Sequence, residues 1–469
     1  MSLADLSATE LRRRISAREV TVVQAVEACL ERVAQHNATL NAIVTPNPNA
    51  LDDAAQLDRR IKKGEDPGPL CGLTVGIKDV TPVAGLRTTY GSPIYADNVA
   101  TEDAVVVRRL RAAGAIILGK TNCPEFAAGA NTFNDVFGRT RNPWDPTKSA
   151  GGSTGGGAAA LATGMIALAE GTDLGGSLRI PAAFCGLVGL RPSVGLVPTH
   201  PTDWVWDTLQ VTGPMARTAD DVALMLQTIA GPSECSPYAQ PMDGRDFVRG
   251  ARGARRNLRI AYCADIAGIS VDPAVERVCR SAAFALGEKG VMVEEIKLDL
   301  SAARPAFLSL RGLWFVTHMF ARLQMQDRFG PNVGNNVRSG LEVTSREIAA
   351  AEQYRAHLWH QFRKLFNDYD HLLTPCVAVP PFAVEQNYPD AIAGKPMQTY
   401  IDWIAPTFVL SLTGLPVACV PAGLDAGGMP VGLQIAGGQF GEEDVLSIAG
   451  QIQRLRPLPR GPWAMVQSR

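Results

Sequence analysis

The sequence predicts an α/β protein, a β-sheet covered by helices, and three observations predict it. Short apolar, β-branched runs alternate along the chain with segments whose apolar residues recur every three or four positions. Apolar residues make up 46% of the 469 residues and charged residues 19%, the balance of a packed globule. No internal repeat and no low-complexity linker divides the chain. One compact domain over 1–469 with a helical insertion is therefore expected, not three separate beads.

The elements follow in order. Residues 6–35 read as helix, with Val22, Val23, Ala25, Val26, Cys29, Leu30 and Val33 at helical spacing and Thr21 as N-cap. Leu51–Ile61 continues that pattern. Leu73–Val80 is short, apolar and β-branched, a buried strand with Lys78 inside it. Asp103–Ala113 reads as helix and Ala115–Leu118 as the strand after it. Residues 139–157 are rich in Pro, Gly, Ser and Thr, have no period, and read as loop. Residues 158–169 read as an Ala-rich helix, and Gly171–Gly176 as a second Gly-rich loop. A more charged, Arg-rich stretch covers about 250–365, with a strand at Leu258–Tyr262 and a long amphipathic helix at Ser345–Leu365. Residues 371–450 return to apolar, strand-like runs.

Charge and cysteine usage exclude several function classes. With 45 basic and 46 acidic residues the net charge is −1, which argues against a generic binder of nucleic acid. Nine cysteines without a CxxC pair predict reduced thiols and no structural zinc site. Asp5, Glu10 and Arg12 to Arg14 precede any apolar run, so no secretory signal and a cytoplasmic location are expected. Ser149–Ala169 and Trp403–Leu424 carry no charge. The first is mostly Ala, Gly and Ser, and the second is broken by Pro406, Pro416 and Pro421. Both predict buried core and no membrane span.

Three motif readings compete for the chemistry. Gly114 to Thr121 matches GxxxxGK[ST], but its intervening Ala-Ile-Ile-Leu looks like the strand itself and a helix precedes it. A phosphate loop must follow a strand, so a strand ending in a structural lysine fits better. Gly151-Gly-Ser153-Thr-Gly155 matches GxSxG, the nucleophile elbow, yet loop and not strand precedes it. A Ser-His-Asp esterase built on Ser153 would also need one of only six histidines. His357-x-x-His360 has no supporting acidic pattern, so no metal site is expected.

The third reading joins a serine to a lysine. In Gly171-Thr-Asp-Leu-Gly-Gly-Ser177, a tight Gly-Gly turn lets backbone N–H groups converge as an oxyanion needs. The serine needs a base. Only nine of the 45 basic residues are lysines, so Lys78 in an apolar run stands out. Burial disfavours its ammonium form and would make it a base near neutrality. A paired structural charge is the alternative.

The ordered motifs resemble the amidase signature family of serine hydrolases along nearly the whole chain. They are Gly76-Ile-Lys78-Asp79, Leu118-Gly-Lys-Thr-Asn122, Arg141-Asn-Pro-Trp144, Gly151-Gly-Ser-Thr-Gly-Gly156, Gly171 to Pro181, Gly186 to Pro192, Leu412 to Pro416 and Pro430 to Gln434. The resemblance implies a mixed, twisted sheet covered on both faces by helices. It implies a catalytic core over 70–230 and a substrate side in the 250–365 insertion. It also implies a Ser-Ser-Lys triad: Ser177 as acyl-forming nucleophile, Ser153 as bridging serine reached through a cis peptide, and Lys78 as base. The oxyanion hole would be the backbone N–H groups of Leu174, Gly175, Gly176 and Ser177. Asp173 and Arg179 would support that loop. Thr154 stands where the family often has a second serine, and Ser411 where many members have Asn.

The implied reaction is hydrolysis of a C–N bond through a seryl acyl-enzyme, without metal or cofactor. Bulky or aromatic amides, anilides and carbamates (urethanes) are expected, with ester cleavage as a side activity. Ala127 to Ala130 fall in a stretch that lines the acyl pocket in relatives, so Ala128, Gly129 and Ala130 would make a roomy site. Trp204 and Trp206 would wall a pocket or a lid, or simply pack at a domain edge. The expected partner is a small molecule, with no nucleic acid and no membrane, and the chain would be a monomer or homodimer. A non-catalytic or transamidation-type subunit is the alternative. Leu174 in place of the Thr typical of the transamidating subunit counts against that role.

Overall fold

A computed structural model describes residues 2–459 and 461, apart from 243, 254 and 256. Eleven strands form one mixed sheet: β1 (Ile43–Pro46), β2 (Thr74–Lys78), β3 (Ile116–Thr121), β4 (Leu168–Asp173), β5 (Val188–Arg191), β6 (Val211–Ala216), β7 (Arg259–Tyr262), β8 (Met292–Glu295), β9 (His371–Pro375), β10 (Val417–Leu424) and β11 (Pro430–Ala436). Their order across the sheet is β1-β3-β2-β4-β6-β5-β10-β11-β9-β7-β8. β2 is parallel to both β3 and β4, β7 is parallel to β8 and β9, and the other pairs are antiparallel. Helices flank the sheet, as the α/β pattern predicts.

The interior strands β2, β3, β4, β5, β6, β9 and β11 are buried at every position. That is why β2, β3, β9 and β11 read as apolar runs and not as alternations. Lys78 closes β2, and Gly119-Lys120-Thr121 closes β3, so the GxxxxGK[ST] match is a strand. Lys120 Nζ donates to Thr81 O (2.6 Å) and Thr88 Oγ1 (2.9 Å) and faces Asp79 at 3.5 Å, the structural role its context predicts.

Three boundaries differ from the sequence reading. The helix expected over 6–35 is two, Ala8–Ser16 and Val22–Leu40, because Arg18 turns the chain at φ +59°. Thr21 does cap the second, in a capping box with Gln24. The Ala-rich helix is Gly155–Ala162, starting inside the predicted loop and ending before Gly164 at φ +76°. Residues 168–173 are β4, so only the second half of the Gly171–Gly176 segment is loop. Period alone cannot divide a helix from a buried strand when both are built from Ala, Leu and Gly.

The 250–365 stretch holds helices Pro273–Phe284, Ala303–Met319, Pro331–Glu342 and Ser345–Asp368, besides β7 and β8. Among the described residues no helix is long and apolar enough to cross a membrane. All nine cysteines are free thiols. Cys185 is buried, which pushes its thiol well above the ordinary range.

Candidate active site

Three local structures bring the predicted residues together. Parallel pairing sets the carboxyl ends of β2 and β4 side by side, so Lys78 and Thr172 meet. Lys78 Nζ donates to Thr172 Oγ1 at 2.9 Å and to Ser153 Oγ at 2.7 Å. Lys78 is fully buried, and burial lowers its pKa to about 8 against the opposing pull of Cys123, Glu170 and Asp173. Glu170, one strand over, accepts the Lys78 backbone N–H (3.1 Å) and the Thr81 hydroxyl (2.9 Å), and burial raises its own pKa.

The second structure is the loop before helix Gly155–Ala162. The Gly152–Ser153 peptide is cis. Thr132 Oγ1 braces the loop from below, donating to Gly151 O (2.8 Å) and accepting from Gly155 N–H (3.1 Å). A Cβ on Gly152 would meet the Ala130 carbonyl carbon at 2.9 Å, so the segment can pass only without a side chain. The Thr154 hydroxyl has no hydrogen-bond partner among the described residues, and Thr154 instead packs against Gly171.

The third is the turn after β4. Asp173 Oδ1 and Oδ2 accept from Arg179 Nη2 and Nε, both at 3.0 Å, in a bidentate pair. Arg191 lies 3.4 Å from the same carboxylate and donates to the Asp173 carbonyl. Burial would raise the Asp173 pKa, but the two guanidinium groups and two backbone donors hold it well below the usual carboxylate range. Those donors are the N–H groups of Gly176 (2.9 Å) and Leu178 (3.1 Å). The expected supporting role of Asp173 and Arg179 thus has a geometry. Gly176 departs from expectation, because its N–H donates to Asp173 Oδ1. Gly176 sits at φ +124° against Thr407, whose hydroxyl donates to Gly175 O at 2.6 Å.

Ser153, Ser177, Leu174, Gly175, Gly129 and Ala130 line one narrow cavity. Ser177 is half-buried there. Three expected lining residues are elsewhere. Ala128 is buried behind the wall with its carbonyl accepting from Asn332, and Ala127 lines the cavity in its place. Trp206 is 60% exposed and packs edge-on against Tyr238, while Trp204 borders a separate cleft. The sequence reading missed Phe126, Arg311, Trp314, Phe315 and Tyr400, which narrow the site that small residues suggested was roomy. Phe126 adjoins the expected Ala127 to Ala130 stretch, and the other four come from segments distant in sequence with no motif to mark them. The cavity shares Phe126, Ala127, Thr172, Gln210 and Trp314 with an outer chamber. His200 and His318 line that chamber, and none of the side chains lining the Ser153 cavity is histidine. Among the described residues no group of three His, Cys, Asp or Glu could hold a metal ion.

Residues 24–446 match the family model described as Amidase. The chain belongs to the amidase family. It is 36% identical over 459 residues to an acylamidase of Rhodococcus erythropolis, covering 96% of each chain. It is 33% identical to a glutamyl-tRNA(Gln) amidotransferase subunit of Chloroflexus aurantiacus, covering 97% of each. Among solved structures, a bacterial aryl acylamidase of the amidase signature enzymes superposes with a TM-score of 0.90 at 27% identity, covering 96% of each chain. A 6-aminohexanoate cyclic dimer hydrolase does so with a TM-score of 0.87 at 26% identity, covering 99% of this chain and 100% of that one. These amidase relatives identify the chain as an amide-hydrolysing enzyme of α/β fold.

Proposed function

We propose that this enzyme cleaves the C–N bond of bulky or aromatic amides through a seryl acyl-enzyme carried by Lys78, Ser153 and Ser177. The observation that carries the reading is the 2.7 Å contact of the buried Lys78 amine with Ser153 Oγ, in a cavity that Ser177 also lines. With its pKa lowered to about 8, Lys78 holds a usable fraction of neutral amine near neutral pH. Its lone pair accepts the Ser153 proton as Ser153 takes that of Ser177. Ser177 Oγ attacks the carbonyl, and the N–H groups of Leu174, Gly175 and Ser177 face the developing oxyanion. The relay returns the proton to the leaving amine, and water then releases the acid. No step calls on a metal or cofactor.

The likeness to acylamidases and the aromatic walls of the cavity favour anilides and aryl amides, with carbamates and esters as slower substrates. The chain would act on small molecules as a monomer or homodimer in the cytoplasm, without nucleic acid or membrane. Its core lies in 70–230, and the 250–365 segment supplies the substrate side.

The test is hydrolysis of a 4-nitroanilide, a matched ester and an aryl carbamate by wild type, Ser177→Ala, Lys78→Ala and the six His→Ala variants. Losses of several orders of magnitude in the first two variants, with the histidine variants active, support the triad. A dead Ser153→Ala beside a fully active Ser177→Ala would overturn it in favour of a Ser153 nucleophile. Inactivity of wild type on all three substrates would favour a transamidation-type subunit.

A further inference from the structure

We propose that Arg311 and Tyr400 recognise a carboxylate on the amide that enters the Ser177 cavity, an inference that rests on the hydrolase reading above. Four arginines of the described chain are buried: Arg32, Arg179, Arg191 and Arg311. Three of them have a carboxylate within ion-pair distance, Arg32 on Asp5 at 2.7 Å, Arg179 on Asp173 at 3.0 Å and Arg191 on Asp173 at 3.4 Å. Arg311 has none among the described residues. Its Nε donates to the amide oxygen of Asn336 at 3.0 Å and its Nη2 donates to the Tyr400 hydroxyl, both neutral acceptors. One face of the guanidinium lies over the Phe315 ring, 4.8 Å from its centroid.

A buried charge without a counter-ion is costly, and native interiors pair such groups. The acids on neighbouring segments are committed elsewhere. Asp402 holds Arg304 and the N–H groups of Gln398 and Thr399, and Asp207 holds the Trp314 indole N–H at 2.7 Å. Arg311 instead lines the Ser153–Ser177 cavity, where it is the one charged side chain of the lining.

Tyr400 adds a second donor. Its hydroxyl oxygen accepts from Arg311 Nη2 and from Asn336 Nδ2 (2.9 Å), which occupies both lone pairs. The phenolic proton is left to donate outward, and Tyr400 lines the same cavity. A guanidinium and an O–H on the lining of this narrow cavity make the donor set for a carboxylate, bound through charge-assisted hydrogen bonds. Asn336, itself anchored to Asn332 O at 2.7 Å, is a positioning residue for both.

The experiment compares acids with neutral isosteres on either side of the scissile bond. Succinyl 4-nitroanilide is set against 4-oxopentanoyl 4-nitroanilide, and 4-acetamidobenzoate against 4-acetamidoacetophenone. In wild type, at least one acid is expected to exceed its isostere about tenfold in kcat/KM, mainly through KM. Arg311→Leu then lowers kcat/KM for that acid at least tenfold more than for its isostere, and Arg311→Lys restores part of the difference. Equal or lower kcat/KM for both acids in wild type would overturn the proposal and leave anilide hydrolysis standing. So would an Arg311→Leu loss of the same size for acid and isostere, the mark of a packing role. If wild type hydrolyses none of the four, the hydrolase reading fails. Calorimetric binding of each acid against its isostere then decides the carboxylate site by itself, preference for the acid supporting it and its absence overturning it.

Discussion

The amine of Lys78, the last residue of β2, lies 2.7 Å from the hydroxyl of Ser153, which precedes a helix beginning 77 positions later at Gly155. Neither residue has a carboxylate ion-paired to it among the described residues, so burial dominates the titration of the amine.

This sets the pH dependence. The neutral amine is the base, so kcat/KM for an anilide should rise with pH along a limb of apparent pKa near 8 and level off above it. Below that limb the rate falls about tenfold per pH unit. Thr172→Val removes an acceptor that favours the charged amine and should move the limb to lower pH, by roughly half a unit to one unit. Steady-state profiles of both proteins check this.

The same burial predicts a stability signature. The ordinary value of 10.5 falls to about 8 on folding, a bias of about 3 kcal/mol against the charged form. Between those values the unfolded chain holds a proton that the folded chain has released, so stability rises with pH across that window. The full penalty applies below pH 8 and vanishes above about 10.5. Lys78→Met does not titrate. From pH 8 to 10.5 the wild type should therefore gain about 3 kcal/mol relative to Lys78→Met, read from urea midpoints at each pH.

Asp173 organises the turn that bears Ser177. Asp173→Asn leaves Arg179 and Arg191 buried without their counter-charge, which should destabilise the fold by about 3–5 kcal/mol and abolish measurable hydrolysis. Denaturant unfolding alongside the anilide assay tests both effects.

Gly176→Ala should fail for a local reason. The added Cβ would lie 2.4 Å from Thr407 Oγ1, at a φ of +124° that side chains avoid. A loss of about 1–3 kcal/mol and at least a tenfold drop in kcat/KM are expected. Thermal unfolding and steady-state kinetics measure them.

Two tryptophans separate the observed site from the expected one. Trp314, anchored by its indole N–H on Asp207 at 2.7 Å, lines both the inner cavity and the outer chamber. Trp314→Ala should raise KM for an aryl amide at least tenfold, on the scale of a few kcal/mol for a buried aromatic wall. Trp206→Ala should leave kcat/KM within twofold, because Trp206 is 60% exposed and touches Tyr238.

The sequence by itself determined the α/β class, the burial of the strand that holds Lys78, and the two Gly-rich segments that bear Ser153 and Ser177. These are local matters: apolar runs specify buried strands, and glycines specify turns that no other residue can make. Ordered motifs also carried the family resemblance. Tertiary structure alone decided which Gly-rich N–H groups are engaged by Asp173, that Trp204 and Trp206 stand away from the cavity, and that Arg311, Trp314, Phe315 and Tyr400 form its walls. Those walls come from elements more than 100 residues beyond Ser177, and their meeting depends on how helix Ala303–Met319 packs over the sheet. No period or spacing in one sequence encodes such a contact, because it is selected by the shape of the whole packed core and not by neighbours along the chain.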